Sequence, residues 1–329
     1  MPRIIRFHQT GGPEVLEIED LPLEEPGAGE VRIKVEALGL NRAEVMFRQG
    51  MYLEQPKPPA RIGYEAAGVV DAVGPEVTGI QAGDRVSTIP GFSMQKYGVY
   101  GESAVVPANI VAKYPDHLSA VEGAAIWMKY MTAYGALVEF GQVAAGDSVI
   151  ITAASSSVGL AAIQIVKAAG ATAIATTRGP SKKEDLLQAG ADHVIVTNEE
   201  DVAERTREIT GGRGARLIFD PVSGAFLEKL AKAAGQGATI FEYGALSLEP
   251  TPFPLFDALG KGLSVRGYTL FEISGNAERL ARGKKFVYEG LNSGAFRPVI
   301  AETFSLEEIV EAHRYMESNQ QLGKIVVTV

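Results

Sequence analysis

Three consecutive serines, Ser155, Ser156 and Ser157, occupy a short turn whose residue types could bind phosphate. The turn follows an apolar run of strand character and opens a run with helical periodicity. A strand, a tight turn and a helix in this order direct backbone N–H groups at a bound pyrophosphate. Gly159 lets such a helix pack close to the strand. We therefore assign Ser155, Ser156, Ser157, Val158 and Gly159 to the binding of a dinucleotide.

The same turn departs from the usual glycine-rich fingerprint, because it reads AASSSVG over residues 153–159. Small Ala and Ser residues satisfy in part the demands for a sharp reversal and a close backbone approach. The turn by itself leaves two interpretations open. One is a serine-rich phosphate cradle, and the other is a small-residue connection that binds nothing.

Hydroxyl and cationic side chains follow the second strand of this unit. Thr177 and Arg178 close an apolar run, and Lys182 comes shortly afterwards. An NAD site would place a carboxylate here for the ribose, whereas hydroxyls and cations suit a 2′-phosphate. Cations at a helix start oppose the helix dipole, so a phosphate partner would explain them. The pattern favours NADPH, with a solvated helix start as the alternative for Arg178 and Lys182.

The elements that position these residues alternate between strand and helix over residues 120–265. Strands are predicted at 148–152, 172–176, 193–196, 217–220, 238–243 and 263–268. Helices are predicted at 158–169, 182–189, 201–210 and 225–234. The strands are almost continuously apolar, which is typical of a parallel sheet covered on both faces. Six strands in this order predict an α/β, doubly wound dinucleotide fold.

The remainder of the chain has a different character. Short strands separated by Gly and Pro turns are predicted at 31–37, 68–73 and 84–88. Ser119 with Glu122, and Ser305 with Glu308, have the spacing of capping boxes at two helix starts. The tail is predicted to contain helices at 278–289 and 305–317 and a strand at 324–329. Because the tail does not continue the alternation, we expect it to return to the first domain, which is then discontinuous.

Composition narrows the class of protein. The 329 residues are 46% hydrophobic and 22% charged, which is typical of a globular protein with two domains. A net charge of −9 without a basic stripe disfavours a nucleic-acid partner. No run of about 18 apolar residues occurs, so no membrane span is expected. The first residues lack signal-peptide character and cysteine is absent, which makes the cytoplasm the expected compartment.

Several short motifs occur in order along almost the whole chain. They are GLNRAE at 39–44, GYEAAGVV at 63–70, VG at 73–74, GDRV at 83–86, TAY at 132–134 and LGKIV at 322–326. Each is weak alone, but the set resembles the medium-chain dehydrogenase/reductase superfamily. Within that superfamily the chain is most similar to the zinc-free quinone oxidoreductase branch.

The resemblance implies a particular domain organisation. Residues 1–120 and 266–329 would form a GroES-like β-barrel catalytic domain, and residues 121–265 a Rossmann domain. Nicotinamide and substrate would bind in the cleft between the two. Most members of the superfamily are dimers or tetramers, and dimers commonly pair the last Rossmann strands, here near 263–268. A homodimer is therefore expected.

The resemblance also implies that no metal is bound. Zinc members have a cysteine in the segment matching 40–44, where this chain has Asn41, and a histidine where it has Tyr64. A four-cysteine site found in many of them would follow residue 86, where this chain has no cysteine. The histidines are scattered without ligand spacing, at His8, His117, His193 and His313.

In place of a metal, the resemblance implies hydrogen-bond donors that polarise a carbonyl. Asn41 matches an asparagine placed to hold the nicotinamide ribose or the substrate, and Tyr52 matches a tyrosine that lines the quinone pocket. Tyr64 could donate from the position of the zinc histidine, and Lys129 would lie beside the nicotinamide. Either tyrosine could instead be a core aromatic, and Lys129 could be an ordinary surface lysine.

Further cofactor contacts are implied by the same resemblance. They come from a helix under the nicotinamide, from the backbone after the fifth Rossmann strand and from the start of the last strand. The set is Asn41, Thr132, Tyr243, Gly244, Ala245, Leu246, Gly323 and Lys324. A flat apolar slot could be formed by Tyr52, Phe92, Tyr97, Trp127 and Phe271, although most aromatic residues simply fill cores.

The chain is therefore predicted to be a zinc-independent enzyme that uses NADPH to reduce a quinone or a similar electron-poor carbonyl compound. The alternative reaction is reduction of the C=C bond of an enone or alkenal, with Tyr64 or Lys129 stabilising the enolate. A hypothesis from another class is an NADPH-binding redox sensor without turnover, which the serine-substituted turn favours. The expected partners are a small-molecule substrate and a second copy of the chain.

Overall fold

The computed structural model describes residues 1–329, and the chain forms two compact units. The first unit, with both termini, contains Met1–Met128 and Pro298–Val329. The second unit contains Lys129–Arg297. The predicted limits of 121–265 for the Rossmann domain thus differ from those of the second unit at both ends.

The second unit is built on a six-stranded parallel sheet with the order β11-β10-β9-β12-β13-β14. Its strands are β9 (Ser148–Ile151), β10 (Thr172–Thr177), β11 (His193–Val196), β12 (Ala215–Asp220), β13 (Ala234–Glu242) and β14 (Ser264–Gly267). Their apolar runs form the core, with Val149, Ile150 and Ile151 fully buried. This is the strand order of a doubly wound dinucleotide fold, so the predicted fold class is confirmed.

Helices connect these strands and extend the second unit beyond the sheet. They are α4 (Trp127–Tyr134), α5 (Ser157–Ala168), α6 (Lys183–Gln188), α7 (Val202–Thr210), α8 (Phe226–Ala233), α9 (Leu255–Lys261), α10 (Phe271–Ser274) and α11 (Ala277–Ser293). A π-helical turn, Gly135–Phe140, follows α4. The strand β13 begins four residues before its predicted start at 238, because the glycines at 235 and 237 resemble a turn in the sequence.

Helix α11 explains why the second unit continues past residue 265. Asn276 caps this helix by accepting a hydrogen bond from the N–H of Arg279 at 3.0 Å. A Cβ on Gly283 would lie 2.7 Å from the Met131 sulfur, so α11 packs closely on α4. The Phe286 and Tyr134 rings meet with centroids 5.2 Å apart. These apolar contacts attach the segment 266–297 to the Rossmann fold.

The first unit contains a seven-stranded sheet in which β3 is central, and a three-stranded sheet with the order β2-β1-β4. Its strands are β1 (Arg3–Phe7), β2 (Glu17–Asp20), β3 (Glu30–Gly39), β4 (Ala60–Arg61), β5 (Glu65–Val73), β6 (Arg85–Thr88), β7 (Ser103–Pro107), β8 (Val111–Lys113), β15 (Ile300–Ser305) and β16 (Lys324–Thr328). Its helices are α1 (Arg42–Arg48), α2 (Met94–Tyr97), α3 (Ala120–Gly123) and α12 (Ile309–Glu317).

The ends of this unit follow local sequence signals. The capping boxes predicted at Ser119 and Ser305 are both present. The last strand, β16, pairs antiparallel with β3, so the tail returns to the first sheet. None of the helices in the chain combines the length and apolar character that a membrane crossing requires.

Candidate active site

The serine-rich turn between β9 and α5 has the geometry of an anion site at a helix start. Ala153 adopts a left-handed conformation with φ at 44°, which costs a residue with a Cβ about 1–2 kcal/mol. The Ser156 hydroxyl oxygen accepts a hydrogen bond from the Gly159 N–H at 3.0 Å and caps α5. A Cβ on Gly159 would lie 2.6 Å from the Ala154 backbone. The turn therefore keeps a tight reversal and a close helix approach with Gly159 as its one glycine.

Lys182 connects the end of β10 to this turn. Its Nζ donates a hydrogen bond to the Ser155 Oγ at 3.3 Å. Burial lowers the pKa of Lys182, and the nearby Arg178 guanidinium lowers it further. Thr177, in the same segment, donates from its hydroxyl to the Gly179 carbonyl at 3.2 Å. A bound anion would stabilise Lys182 and Arg178, which repel each other beside the serine-rich turn.

Two carboxyl groups, the buried Asp220 and the half-buried Glu242, lie where β12 and β13 end, at the same edge of the sheet. They are direct neighbours in the sheet register, and we call them the acid pair. Asp220 accepts hydrogen bonds from the Thr152 hydroxyl and from the N–H groups of Val222 and Ser223, the last two at 3.1 and 2.8 Å. Burial raises the pKa of Glu242 to about 8, helped by the charge of Asp220.

The acid pair was not among the residues predicted from the sequence. The available signal was its position, because a polar residue at the carboxyl end of a parallel strand lies where ligands of this fold bind. Both carboxyls interrupt otherwise apolar runs, IFD at 218–220 and IFE at 240–242.

The segment after β13, residues 243–246, begins with an anchored aromatic residue. The Tyr243 ring stacks on Phe219 with centroids 3.9 Å apart, and its hydroxyl is buried without a hydrogen-bond partner. The next three residues are exposed, so their backbone is accessible to a ligand. That this segment contacts the nicotinamide carboxamide stays a prediction.

Helix α4 carries two further predicted residues, Lys129 and Thr132, and both are buried. Lys129 is only 3% exposed, and its Nζ lies 4.9 Å from the centroid of the Tyr130 ring. The alternative that Lys129 is an ordinary surface lysine is therefore wrong, because it is enclosed by the protein. Its predicted action on a substrate carbonyl stays a prediction.

A second polar cluster lies in the first unit, around Lys324 at the start of β16. The Lys324 Nζ donates hydrogen bonds to the Asn41 Oδ1 at 2.6 Å and to the Glu65 carboxylate. The lysine is 1% exposed, so this is a buried ion pair. A Cβ on Gly39 would lie 2.8 Å from the Lys324 Cε, so the glycine makes room for the side chain. With Glu44, these residues form what we call the lysine cluster: Asn41, Glu44, Glu65 and Lys324.

Glu44, in the lysine cluster, is fully buried. Its carboxylate accepts four hydrogen bonds. The donors are the backbone N–H and side-chain amide of Asn41, the N–H of Tyr64 and the hydroxyl of Tyr100, the last two at 3.0 Å. Burial raises the pKa of Glu44 to about 7, while the Lys324 charge and these hydrogen bonds act in the opposite direction. Four donors around two oxygens fit an ionised carboxylate.

The same contacts occupy the amide of Asn41. Its NH₂ group donates to the Gly39 carbonyl and to Glu44, both at 3.0 Å, and its oxygen accepts from Lys324. The predicted contacts of Asn41, Gly323 and Lys324 with a cofactor stay predictions. Glu44 and Glu65 were missed as site residues although both stand in the motifs that carry the family resemblance.

The lysine cluster, which contains Asn41 from one of the zinc-ligand positions, does not fit a metal ion. Asn41 and Glu65 already hold an ammonium group, and Glu44 is saturated by N–H and O–H donors. Zinc requires thiolate, imidazole or carboxylate ligands that are free to coordinate. A zinc ion here would have to displace Lys324 and leave buried donors unpaired.

Tyr52 and Tyr64 lie together at the end of a row of aromatic rings. Centroid distances along the row are 6.3 Å for Tyr52–Tyr64, 5.5 Å for Tyr64–Phe92 and 6.3 Å for Phe92–Tyr97, all edge to face. The Tyr64 hydroxyl is hydrogen-bonded to that of Tyr52. Burial raises the pKa of both phenols, so both stay neutral and can donate.

The row contains three of the five residues predicted to form an apolar slot. Trp127 is a core residue instead, because it is fully buried and donates its indole N–H to the Ser87 Oγ at 2.8 Å. Phe271 begins α10 in the second unit.

Of the four histidines, only His8 stands in a group with the spacing of metal ligands. His8 lies beside Glu17 and Glu19, and the three ligand atoms fall within 4.8 Å of one another. Glu19 is already paired with Arg6, and His8 and Glu17 are exposed. His313 is fully buried and packs edge to face on Tyr100.

A cavity of about 670 Å³ lies at the amino-terminal edge of the parallel sheet. Its charged lining residues are Asp147, Arg207, Arg213, Arg216, Lys232 and Lys261. Dinucleotides bind at the carboxyl edge of such sheets, so this cavity is separate from the candidate site.

Two known protein families match segments of this chain. Residues 27–116 match the alcohol dehydrogenase GroES-like domain, and residues 157–283 match the zinc-binding dehydrogenase family. These two domains together define a medium-chain dehydrogenase/reductase.

Individual relatives place the chain more narrowly. It is 32% identical to the quinone oxidoreductase of Homo sapiens over 99% of this chain and 97% of that protein. It is 32% identical to 2-haloacrylate reductase of a Burkholderia species over 98% and 97%. The structure of Escherichia coli quinone oxidoreductase complexed with NADPH has a TM-score of 0.91 at 29% identity, covering 99% of this chain and all of that one. The chain belongs to the quinone oxidoreductase branch of the superfamily, and the prediction from its motifs is confirmed.

Proposed function

We propose that this protein is an NADPH-dependent enzyme that reduces quinones or similar electron-poor carbonyl compounds by hydride transfer, without zinc. The contact of Lys182 with Ser155 is the observation that carries the cofactor assignment. It joins a cation to the turn that precedes α5, beside a second cation at Arg178. This arrangement supplies both the pyrophosphate cradle and a partner for a 2′-phosphate.

NADPH would supply the hydride, and the protein would supply orientation and hydrogen-bond donors. Tyr64 donates to Tyr52, which leaves the half-buried Tyr52 able to donate its own proton to an acceptor oxygen. In the overall reaction the quinone takes up a hydride and a proton and becomes a hydroquinone, while NADPH becomes NADP⁺. The tyrosines would polarise the carbonyl as negative charge develops on oxygen.

Independence from zinc is supported by the lysine cluster. Its carboxylates are neutralised by Lys324 and by N–H and O–H donors, so none is available as a ligand. Stoichiometric zinc that is required for activity would contradict this part of the proposal.

Reduction of an activated C=C bond is the second candidate reaction. The similarity to 2-haloacrylate reductase favours it, because that relative is named for a substrate with such a bond. The same tyrosine donors would then stabilise an enolate. NADPH oxidation measured with quinones, enals and enoyl thioesters separates the two reactions, and tight NADPH binding without turnover on any of them would favour the sensor hypothesis.

The cofactor assignment is tested by the dissociation constants of NADPH and NADH for the native protein and for Lys182→Ala. The native protein should bind NADPH more tightly, and the variant should lose about tenfold in NADPH affinity with little change for NADH. Lys183→Ala is the matched control, because this exposed lysine starts α6 one residue further on. Tighter binding of NADH by the native protein would overturn the assignment.

Two predictions about the assembled protein are kept as proposals. The sheet ends at β14, an edge strand, and the neighbouring helix α9 exposes Phe256 and Leu259 at 86% and 72%. Exposed apolar groups beside an edge strand support pairing of two copies near residues 263–268. The cytoplasmic location expected from the sequence is likewise a proposal.

A further inference from the structure

The hydroxyl of Ser223 lies between two oxygen atoms that both require a donor or a proton. Its Oγ is 2.6 Å from the Glu242 Oε2 and 2.8 Å from the carbonyl oxygen of Gly244. A serine hydroxyl has one proton, so it can donate to only one of them. A carbonyl oxygen cannot donate, which assigns the serine proton to Gly244. The Glu242 carboxyl must then donate to Ser223, and it can do so only when it is protonated.

The surroundings of the acid pair support a neutral Glu242. Asp220, its neighbour in the sheet, accepts from one hydroxyl and two backbone N–H groups, and these three donors favour the ionised form of Asp220. No donor reaches the buried Glu242 Oε1. An ionised Glu242 would therefore be a second negative charge beside Asp220, with the Ser223 hydroxyl as its one donor, which is costly in a half-buried position.

The charged and titratable groups around Glu242 can be named from each side. Asp220 faces it from β12, and Tyr243 follows it on β13 with a neutral phenol. On the other side its register neighbour in β14 is Gly267, which has no side chain. The Asp220 and Glu242 carboxyls are also hydrogen-bonded to each other, which requires a proton on one of them. No cation is among the groups that shift the Glu242 pKa, so a proton is the means of compensation.

Ser223 is itself held in an uncommon conformation. Its φ is 61°, and the following Gly224 has φ of 62°. A left-handed conformation at a residue other than glycine is a form of strain that occurs at functional sites. Here it brings both the N–H and the hydroxyl of Ser223 to the acid pair.

We propose that Glu242 is a positioning residue: as a neutral acid it donates to Ser223, which donates to the Gly244 carbonyl and fixes residues 243–246 for binding the nicotinamide. With the Gly244 carbonyl held toward Ser223, the planar trans peptide directs the Ala245 N–H to the opposite side. Ala245 is exposed, so that N–H is presented to a ligand. This inference rests on the proposed function in one respect, namely that this segment meets the cofactor.

The first test asks where the proton is and needs no cofactor. The infrared difference spectrum of the native protein against Glu242→Gln should show the carbonyl band of a protonated carboxylic acid at neutral pH. Ser293→Ala, a change in a distant serine hydroxyl that donates to Gly290, should leave that band unchanged. A native spectrum in which Glu242→Gln removes only carboxylate bands would overturn the proposal.

The second test measures the NADPH dissociation constant at about pH 6.5 and about pH 9.5, on either side of the proton loss. The native protein should bind about fivefold more weakly at the higher pH, and Ser223→Ala about fivefold more weakly at both. Glu242→Gln retains an N–H donor toward Ser223, so it should bind like the native protein at the lower pH. Loss of the Lys182 charge at high pH affects both proteins equally, so the difference between them isolates Glu242.

An equal pH response in the native protein and Glu242→Gln would overturn the positioning role. If no variant binds NADPH at either pH, the proposed function fails. Amide hydrogen exchange of residues 243–247 then decides the inference by itself. Faster exchange in Ser223→Ala than in Glu242→Gln supports the positioning of the segment, and equal exchange contradicts it.

Discussion

The lysine cluster of the first unit and the acid pair of the second unit solve the same physical problem in different ways. Each places two carboxyl groups in the protein interior, close to the end of a strand. In the lysine cluster, Glu65 meets the ammonium group of Lys324 and Glu44 meets four donors. In the acid pair, Asp220 accepts hydrogen bonds from three donors. No donor reaches the Glu242 Oε1, so a proton compensates this carboxyl.

The difference shows that burial alone does not fix the charge of a carboxyl group. In the lysine cluster a fixed cation and fixed N–H and O–H donors face the carboxyl groups. A proton compensates the acid pair, and a proton can be lost when the pH changes. The lysine cluster therefore relies on protein groups for compensation, whereas the support for residues 243–246 relies on a proton.

The largest expected effect comes from removing the cation of the lysine cluster. Lys324→Met should lower the free energy of unfolding by about 3–5 kcal/mol, because Glu65 is left buried and unpaired. The measurement is a urea unfolding curve at neutral pH. Lys285→Met is the control, because its pair with Glu289 is exposed and worth about 0.5 kcal/mol or less.

If Lys324→Met does not fold, the double variant with Glu65→Gln provides the test. It removes both charges and should recover a large part of the lost stability. A single variant as stable as the Lys285 control would show that the cation is not what compensates this cluster.

Replacing glutamate by glutamine should change the free energy of unfolding in opposite directions in the lysine cluster and the acid pair. At about pH 8, Glu44→Gln should cost about 1–3 kcal/mol, because the new NH₂ group faces donors only. Glu242→Gln should instead raise the free energy of unfolding, because at this pH the native protein has to take up a proton on folding that the amide does not need. A calorimetric comparison of the two variants with the native protein measures both.

The pH dependence of Glu242→Gln sharpens this contrast. The Glu242 pKa is raised from 4.5 to about 8 in the folded protein, so its contribution to stability is present below pH 4.5 and is lost as the pH rises to 8. The free energy of unfolding of the variant, relative to that of the native protein, should rise by roughly 1.4 kcal/mol per pH unit across that range. Parallel curves for the two proteins would contradict a proton on Glu242.

His313, near the lysine cluster, has a pKa that is shifted in the opposite direction from that of Glu242. His313 packs on Tyr100, neither ring nitrogen has a partner, and burial lowers its pKa from 6.5 to about 3. Its contribution to stability is present above pH 6.5 and is lost as the pH falls to 3. His313→Leu should remove that loss, worth roughly 1.4 kcal/mol per pH unit in unfolding curves.

The exposed His117 is the matched control for this prediction, and His117→Leu should leave the acid dependence unchanged. An unaltered acid dependence in His313→Leu would show that the folded protein protonates this histidine readily.

Much of the second unit could be predicted from the sequence because its signals are local. The strands at β9 and β11 were predicted within one residue, since their apolar runs are bounded by turns. The limit at residue 265 could not be predicted, because α11 joins the sheet unit through Met131 and Tyr134, far away in the chain. Sequence periodicity shows that a helix is amphipathic, but it does not show against what the helix packs.

The site divides in the same way. Ser155 and Lys182 were predicted from residue type and position, and the structure adds the contact between them. The acid pair was missed because a carboxyl at the end of a strand has no pattern that distinguishes a buried acid from a solvated one.

The sequence by itself determined most elements of the second unit, their order along the chain, the capping boxes and the family, since all of these depend on short-range patterns. Only the tertiary structure decided which carboxyls are buried, what compensates each charge and which serine carries a proton to Gly244. The physical reason is distance along the chain: Lys324 reaches Asn41 across 283 residues, and Ser223 reaches Glu242 across 19. Charge and protonation depend on such neighbours, which a local pattern does not contain.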